Sequence, residues 1–264
     1  MWISIDSPSH IQSDPLACGG KGKNLFYLTQ QGLQVPPFVV LNPQDKTPTE
    51  IDAETLEGIK SNLNFPEFVA VRSSAMEEDG ANFSFAGQFT SELYVPWNEI
   101  NAAVKKVWDS KSNPHIATYC AEHNIPLPSN VAIVIQAMIP SEVSGVAFGV
   151  NPLTGHRNEV VISALFGLGE GLVGGELNAD TYLVGDGYIT QKIADKSEAF
   201  VFNPHGAGTT RIPLPQNKQQ ESSLSEDQIQ AVANTVKQLG TALGKPQDIE
   251  FAFCEGQLYI LQTR

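Results

Sequence analysis

Near the C-terminus, Asp248-Ile249-Glu250-Phe251-Ala252-Phe253 alternates carboxylates with large apolar side chains. Successive residues of a strand point to opposite faces, so Ile249, Phe251 and Phe253 share a core face and Asp248 and Glu250 share the other. A return strand places Leu258, Ile260, Gln262 and Arg264 on one face. With Glu255-Gly256-Gln257 as the loop, Glu250 stands opposite Gln262 and Asp248 opposite Arg264. Two carboxylates, an amide carbonyl and a guanidinium would then share one surface. Hard oxygen ligands beside a cation suit Mg²⁺ bound together with phosphates. A solvated face crossed by an ion pair has the same pattern, and the hairpin alone leaves both readings open.

Two other segments suit anions. Gly19-Gly20-Lys21-Gly22-Lys23-Asn24 is a glycine-rich turn into a helix. Backbone N–H groups at a helix start, such as that of Gly20, together with Lys21, make an anion site. It is not a Walker A loop: Asn24 follows Gly22-Lys23 where Ser or Thr is needed, and Ala17 replaces the first glycine. A plain flexible turn with a surface lysine is the alternative. In the second segment, Val71-Arg72-Ser73-Ser74-Ala75 leads through Glu77-Glu78-Asp79 to Ser84-Phe85-Ala86-Gly87-Gln88. Arg72 suits bidentate phosphate contact, and hydroxyls such as that of Ser73, with the N–H groups around Gly87 and Gln88, can complete a cradle. An ion pair between Arg72 and the acidic patch is the alternative.

Gly167-Leu168-Gly169-Glu170-Gly171-Leu172 is a literal GxGxxG, but it lacks the repeated βαβ setting of a dinucleotide fold. Loop or lid plasticity is the expected use of those glycines. The five histidines are scattered without metal-ligand spacing.

These groups need elements to hold them. A helix should run from the Gly19 turn to Gly32, followed by a strand over 38–41 and a short helix around 53–62. A strand over 68–72 delivers Arg72-Ser73-Ser74 at its end. Ile100, Ala103, Val104, Val107 and Trp108 share one face of a helix over 98–108, and a second helix covers 114–123. Strands are expected over 131–138, 143–150 and 159–164, and a hairpin turns at Gly185-Asp186-Gly187. Residues 203–224 read as loop. Ser225 and Gln228 form a capping box for a helix with Ile229, Val232, Val236, Leu239 and Leu243 inward, ended by Gly244. This order predicts an α+β fold with mainly antiparallel sheets, in an N-terminal lobe of residues 1–125 and a C-terminal lobe of 126–264, joined near Pro126–Pro128.

Composition narrows the partners. The 264 residues carry 16 Lys+Arg against 29 Asp+Glu, a net charge of −13. An acidic surface argues against nucleic acid and anionic membranes, which reward basic ones. No apolar run approaches the roughly 18 residues that span a bilayer, and no signal peptide is evident. Three widely spaced cysteines indicate neither a disulfide framework nor a zinc site, so a cytoplasmic location is expected.

Five blocks together closely resemble the N-terminal nucleotide-binding domain of phosphoenolpyruvate synthase and pyruvate phosphate dikinase, a domain shared with rifampin phosphotransferase. They are GGKGKNL with VPPFVVL, VAVRSSAMEEDGANFSFAGQF, VAIVIQAMIPSEVSGVAFGVNPLTG, GLGEGLVGGELNADTYLV and DIEFAFCEGQLYILQTR, in family order. The resemblance implies a two-lobed ATP-grasp-type fold with ATP between the lobes. By position it implies that Lys21 binds phosphates, Arg72 contacts the transferring phosphoryl group, and Gln136, Ala137, Met138 and Ile139 form the interlobe strand near the adenine. Glu250 and Gln262 would hold Mg²⁺, with Asp248 and Arg264 in support; Lys21, Arg72 and Arg264 would be the catalytic cations. The family's Thr-Ser-His-Ala carrier segment is missing, Ala179 stands where the family has proline, and residues 42–68 are short. The expected function is therefore an ATP- and Mg²⁺-dependent phosphotransferase module that serves a phosphohistidine carrier on another chain or a missing domain. The alternatives are a stand-alone kinase or ligase with a small-molecule acceptor, and an ATP sensor without turnover.

Overall fold

The computed structural model describes residues 2–42, 50–75, 90–123, 131–203 and 208–264. Its contacts separate two units, Met1–Gly32 with Pro36–Met138, and Leu33–Val35 with Ile139–Arg264. The division falls after Met138, not at the expected 125/126 boundary. The reason is the strand over Val131–Ala137, whose hydrogen bonds place it in the middle of the first unit's sheet. Pro126–Pro128 lies outside the described residues.

The first unit contains β1 (Trp2–Ile3), α1 (Ser9–Gln12), α2 (Pro15–Gln30), β2 (Phe38–Leu41), α3 (Ala53–Asn62), β3 (Phe68–Ala75), β4 (Ser91–Pro96), α4 (Ile100–Asp109), α5 (Pro114–His123) and β5 (Val131–Ala137). Its sheet has the order β1-β2-β5-β3-β4, every pair antiparallel. All seven residues of β5 are buried, as an unbroken Val/Ile-rich run requires when both sheet faces are covered. One face brings Val39, Leu41, Val69, Val71, Ile133 and Ile135 against Ile59 and Leu63 of the α3 region and Val104, Val107 and Trp108 of α4. The other carries α2. β3 continues three residues beyond the expected end at Arg72, because Ser73, Ser74 and Ala75 keep pairing with Ile133, Ala132 and Val131.

The second unit contains β6 (Val143–Phe148), β7 (Val160–Phe166), α6 (Glu170–Val173), β8 (Asp180–Gly185), β9 (Tyr188–Lys192), β10 (Glu198–Phe202), β11 (Thr209–Pro213), α7 (Gln216–Gln219), α8 (Glu226–Leu243), β12 (Asp248–Cys254) and β13 (Gln257–Thr263). Six strands form an antiparallel sheet, β13-β12-β6-β7-β8-β9, and β10 pairs with β11. The α+β expectation with mainly antiparallel sheets holds. The segment 203–224, expected as loop, instead contains β11 and α7. β11 is short and largely exposed, so it has no hydrophobic alternation to signal it. α8 has both bonds of the expected capping box and ends at Gly244 in the left-handed conformation. It buries Ile229, Val232, Val236 and Leu239, but Leu243 is exposed at its last turn.

Candidate functional site

In the first unit, α2 is broken at Gly19, whose φ of 65° and ψ of −178° leave the helical region. A Cβ there would stand 1.9 Å from the Ser74 carbonyl oxygen, so only glycine fits. The Ser74 hydroxyl accepts the Gly22 N–H at 3.0 Å and donates to the Cys18 carbonyl at 2.7 Å. It therefore bridges both sides of the break, as an N-cap side chain would, but from a strand 52 positions on. The turn is thus a packed joint rather than a flexible loop. Burial, then Asp14, pushes the neighbouring Cys18 thiol up to about 12, which leaves it inert.

Lys21 follows the break, only 7% exposed, and its Nζ donates to the Ser73 carbonyl at 3.0 Å. It is not the surface lysine of a plain flexible turn. Facing residues of the ladder share a side of the sheet, so the pairs Ala70–Gln136, Arg72–Val134 and Ser74–Ala132 put Arg72, Ser74 and Gln136 together. This is the face that α2 covers, where a Cβ on Gly22 would meet Val40 Cγ2 at 3.0 Å. Gln136 is 3% exposed, and among the described residues its Nε2 has no hydrogen-bond partner. A buried donor left unmet costs about 1–3 kcal/mol, so this amide is set to receive an acceptor.

Ser73 corrects an expectation. Its side chain falls on the opposite face with Val71 and Ile133, fully buried, and it serves Lys21 through its carbonyl alone. Ser74 is the hydroxyl on the lysine side; the doublet Ser73-Ser74 was legible, but which member faces Lys21 depends on strand phase. Gly20 takes up the helix directly after the break. Ala137 ends β5 with its N–H on the Pro37 carbonyl, and the Met138 N–H donates to the Phe68 carbonyl. Met138 and Ile139 flank the division between the units. Gly87 and Gln88 lie outside the described residues.

In the second unit, the β12–β13 turn is only two residues, Glu255-Gly256, both at positive φ, with Cys254 opposite Gln257. This corrects the three-residue loop. A regular ladder from that turn would put Leu261 opposite Glu250, but a bulge between Glu250 and Phe251 absorbs Leu261 and restores Glu250–Gln262. Asp248 and Arg264 exchange main-chain bonds at 3.0 and 2.9 Å. The bulge also divides the return strand. Leu258 and Ile260 pair with Phe253 and Phe251 on the core face, while Gln262 and Arg264 join Asp248 and Glu250. The expectation that all four share a face is therefore wrong.

Arg264 Nη2 lies 3.5 Å from Glu250 Oε1, a diagonal ion pair. Desolvation raises the Asp248 carboxyl above its ordinary range, against the Gly149 amide and Arg264, which lower it. Two carboxylates and the Gln262 amide, itself 2% exposed, form an oxygen-rich set that fits Mg²⁺ sharing its remaining positions with phosphate and water. Among the described residues no three His, Cys, Asp or Glu side chains gather as a complete protein cage.

In the Gly167–Gly175 segment, expected to use its glycines for loop or lid plasticity, two of them are instead required by close packing, whereas Gly175 has open space around it. A Cβ on Gly167 would meet the Phe200 carbonyl at 2.3 Å, and one on Gly171 would meet Leu177 at 2.6 Å. Sequence reading also missed the buried pair Lys196–Asp180, at 2.6 Å. Burial pushes the Asp180 carboxyl up, but Lys196 and the Ala194 and Ser223 amides outweigh it and hold it low. Asp180 pins Ala194, Lys196 and Ser223 to β8. No local pattern marks a pair 16 residues apart.

The family description "Pyruvate phosphate dikinase, AMP/ATP-binding domain" matches residues 41–264. The chain belongs to this family. Similar members include the prodigiosin synthesizing transferase PigC of Serratia marcescens, 30% identical over 95% of this chain and 32% of that one. Rifampicin phosphotransferase of Bacillus cereus is 34% identical over 81% of this chain and 25% of its own. Phosphoenolpyruvate synthase of Pyrococcus furiosus is 37% identical over 75% and 26%. The chain spans about a quarter to a third of the length of these relatives. The chain is thus a pyruvate phosphate dikinase-type AMP/ATP-binding domain. No described helix is long and apolar enough to cross a membrane.

Proposed function

We propose that this chain is the ATP-binding module of a dikinase-type phosphotransferase with an ATP-grasp-type fold. The observation that carries the reading is the chemical complementarity of two faces within one family member. Lys21, Arg72 and the unmet Gln136 donor suit phosphates and the nucleotide, while Asp248, Glu250 and Gln262 suit a hard divalent cation. Lys21 neutralises phosphate oxygens and is kept from swinging away by the Ser73 carbonyl. Arg72 and Arg264 stabilise charge on the transferring phosphoryl group, where catalysis rests on positioning and electrostatics. Gln136 to Ile139 flank the base. Glu250 and Gln262 hold Mg²⁺, with Asp248 in support; when bound, the ion supplies the positive charge that phosphoryl transfer requires. Release of Glu250 from Arg264 would free both for these tasks.

The phosphoryl acceptor is a histidine on a carrier domain, on another chain or in a further portion of this protein, and the reaction takes place in the cytoplasm. Incubation with ATP, Mg²⁺ and a cognate carrier domain should give AMP and phosphohistidine. ADP as the sole product overturns the dikinase reading in favour of direct transfer to a small molecule. ATP binding with no turnover under any acceptor condition overturns both.

A further inference from the structure

The six-stranded sheet treats its two edges differently. At β13 the Ile260 N–H is taken by the Gln34 carbonyl at 2.8 Å. At β9, among the described residues, no other segment bonds to the outer edge. The two-residue turn Asp186-Gly187 pairs Gly185 with Tyr188, so alternate pairs down the hairpin are the bonded ones. Ile189 and Gln191 therefore aim their N–H and C=O groups outward. The strand Tyr188-Ile189-Thr190-Gln191-Lys192 is β-prone and has neither proline nor an inward-pointing charge; its one protecting charge, Lys192, stands at the strand end opposite Thr181, away from the face of Ile189 and Gln191.

A cavity of about 600 Å³ lies beside this edge. Ile189 and Gln191 form its strand side; Leu224 and Ile229, both buried, form its apolar floor; Glu226 and Gln230 stand exposed on the rim. Asp227 follows Glu226 on the helix, and Asp186 at the hairpin turn is already paired with Lys237 at 3.7 Å. Among the described residues no lysine or arginine pairs with Glu226.

We propose that the β9 edge and this groove bind an extended basic segment of a partner protein by strand addition. Its main chain pairs with Ile189 and Gln191, and alternate side chains drop toward α8. A lysine or arginine at the facing position lays its aliphatic stem over Leu224 and Ile229 and brings its cation to Glu226. A second copy of this chain is the poorer occupant: its own β9 would present Ile189 and Gln191 to the groove, and neither carries a charge. The proposal is independent of the ATP reading.

The test uses the 264-residue chain and a capped, fluorescent seven-residue peptide of alternating threonine and valine with lysine at the centre. Saturable binding is expected, with slowed hydrogen exchange at the Ile189 and Gln191 amides. Glu226→Gln, or glutamate for the peptide's lysine, should weaken binding by about three- to tenfold. Gln191→Pro removes one outward N–H without breaking the β8 ladder and should weaken it by about tenfold. Glu226→Gln leaves the backbone intact and serves alone if the proline variant fails to fold. The proposal is overturned by three results: no saturable binding at millimolar peptide, binding indifferent to Glu226→Gln and to the peptide's charge, or protection of the β9 amides by self-association without peptide.

Discussion

Lys21 and Gln136 in the first unit are buried under a helix break that tolerates no side chain at Gly19, whereas Glu250 and Arg264 in the second keep 24% and 42% of their side chains exposed. The cationic half is part of a core; the anionic half sits near the end of a hairpin. Burying a lysine raises the energy of leaving it unpaired, so its carbonyl partner and its backbone must be fixed. A metal site that takes its last ligands from phosphate and water must instead stay open. Substitutions of Lys21 or Gln136 should therefore damage folding and chemistry together, and those of Glu250 or Arg264 should damage chemistry alone.

The sharpest test is Gly19→Ala. The added methyl meets the Ser74 carbonyl and the positive φ becomes strained, so we expect a loss of about 3 kcal/mol or more in denaturant unfolding, with ATP binding lost as well. A loss below about 1 kcal/mol would show that the joint yields. Next come Lys21→Met and Glu250→Gln. Each should lower phosphoryl transfer by about 10²–10³-fold, but only Lys21→Met should also cost about 1–2 kcal/mol, while Glu250→Gln stays within about 0.5 kcal/mol of the parent. Equal destabilisation by the two would break the contrast. Ser74→Ala removes the bridge across the helix break and should cost about 1–2 kcal/mol in thermal or denaturant unfolding.

The smallest effect concerns pH. Asp248 has its carboxyl pKa raised in the folded chain, so it takes up a proton at a higher pH than an ordinary carboxylate. The contribution to Mg²⁺ binding proposed for it should therefore begin to fade above the usual value of 3.8 as the solution is acidified, measurable by calorimetry across a pH series. A raised carboxyl favours the folded state at low pH and opposes it once ionised. Asp248→Asn should accordingly remove this pH dependence without destabilising the chain at neutral pH.

Much of the second half was legible. The alternation in Asp248–Phe253 identified the polar and core faces of β12, and the expected pairing of Glu250 with Gln262 holds. It holds for a different reason, however: a tighter turn and a bulge at Leu261 offset each other. The first half was less legible. GGKGKN read as a glycine-rich anion-binding turn or a plain flexible one, yet Gly19 is required by Ser74, more than fifty residues away. Ser73 and Ser74 are alike in type and adjacent, so only the phase of β3 against β5 distinguishes the lysine-holding carbonyl from the helix-bridging hydroxyl.

By itself the sequence determined the pattern-driven parts: an amphipathic α4, the capping box and glycine stop of α8, the β8–β9 turn, and the residue types available for phosphate and metal. These depend on neighbours a few positions away, where periodicity and capping act directly. Only the tertiary structure decided where the chain divides, which serine faces Lys21, that the glycines of 19 and 167–171 serve close packing, and that Gln262 parts from Ile260. Each of these depends on which distant backbone lies alongside, through steric exclusion and ladder register, and neither leaves a mark in local composition.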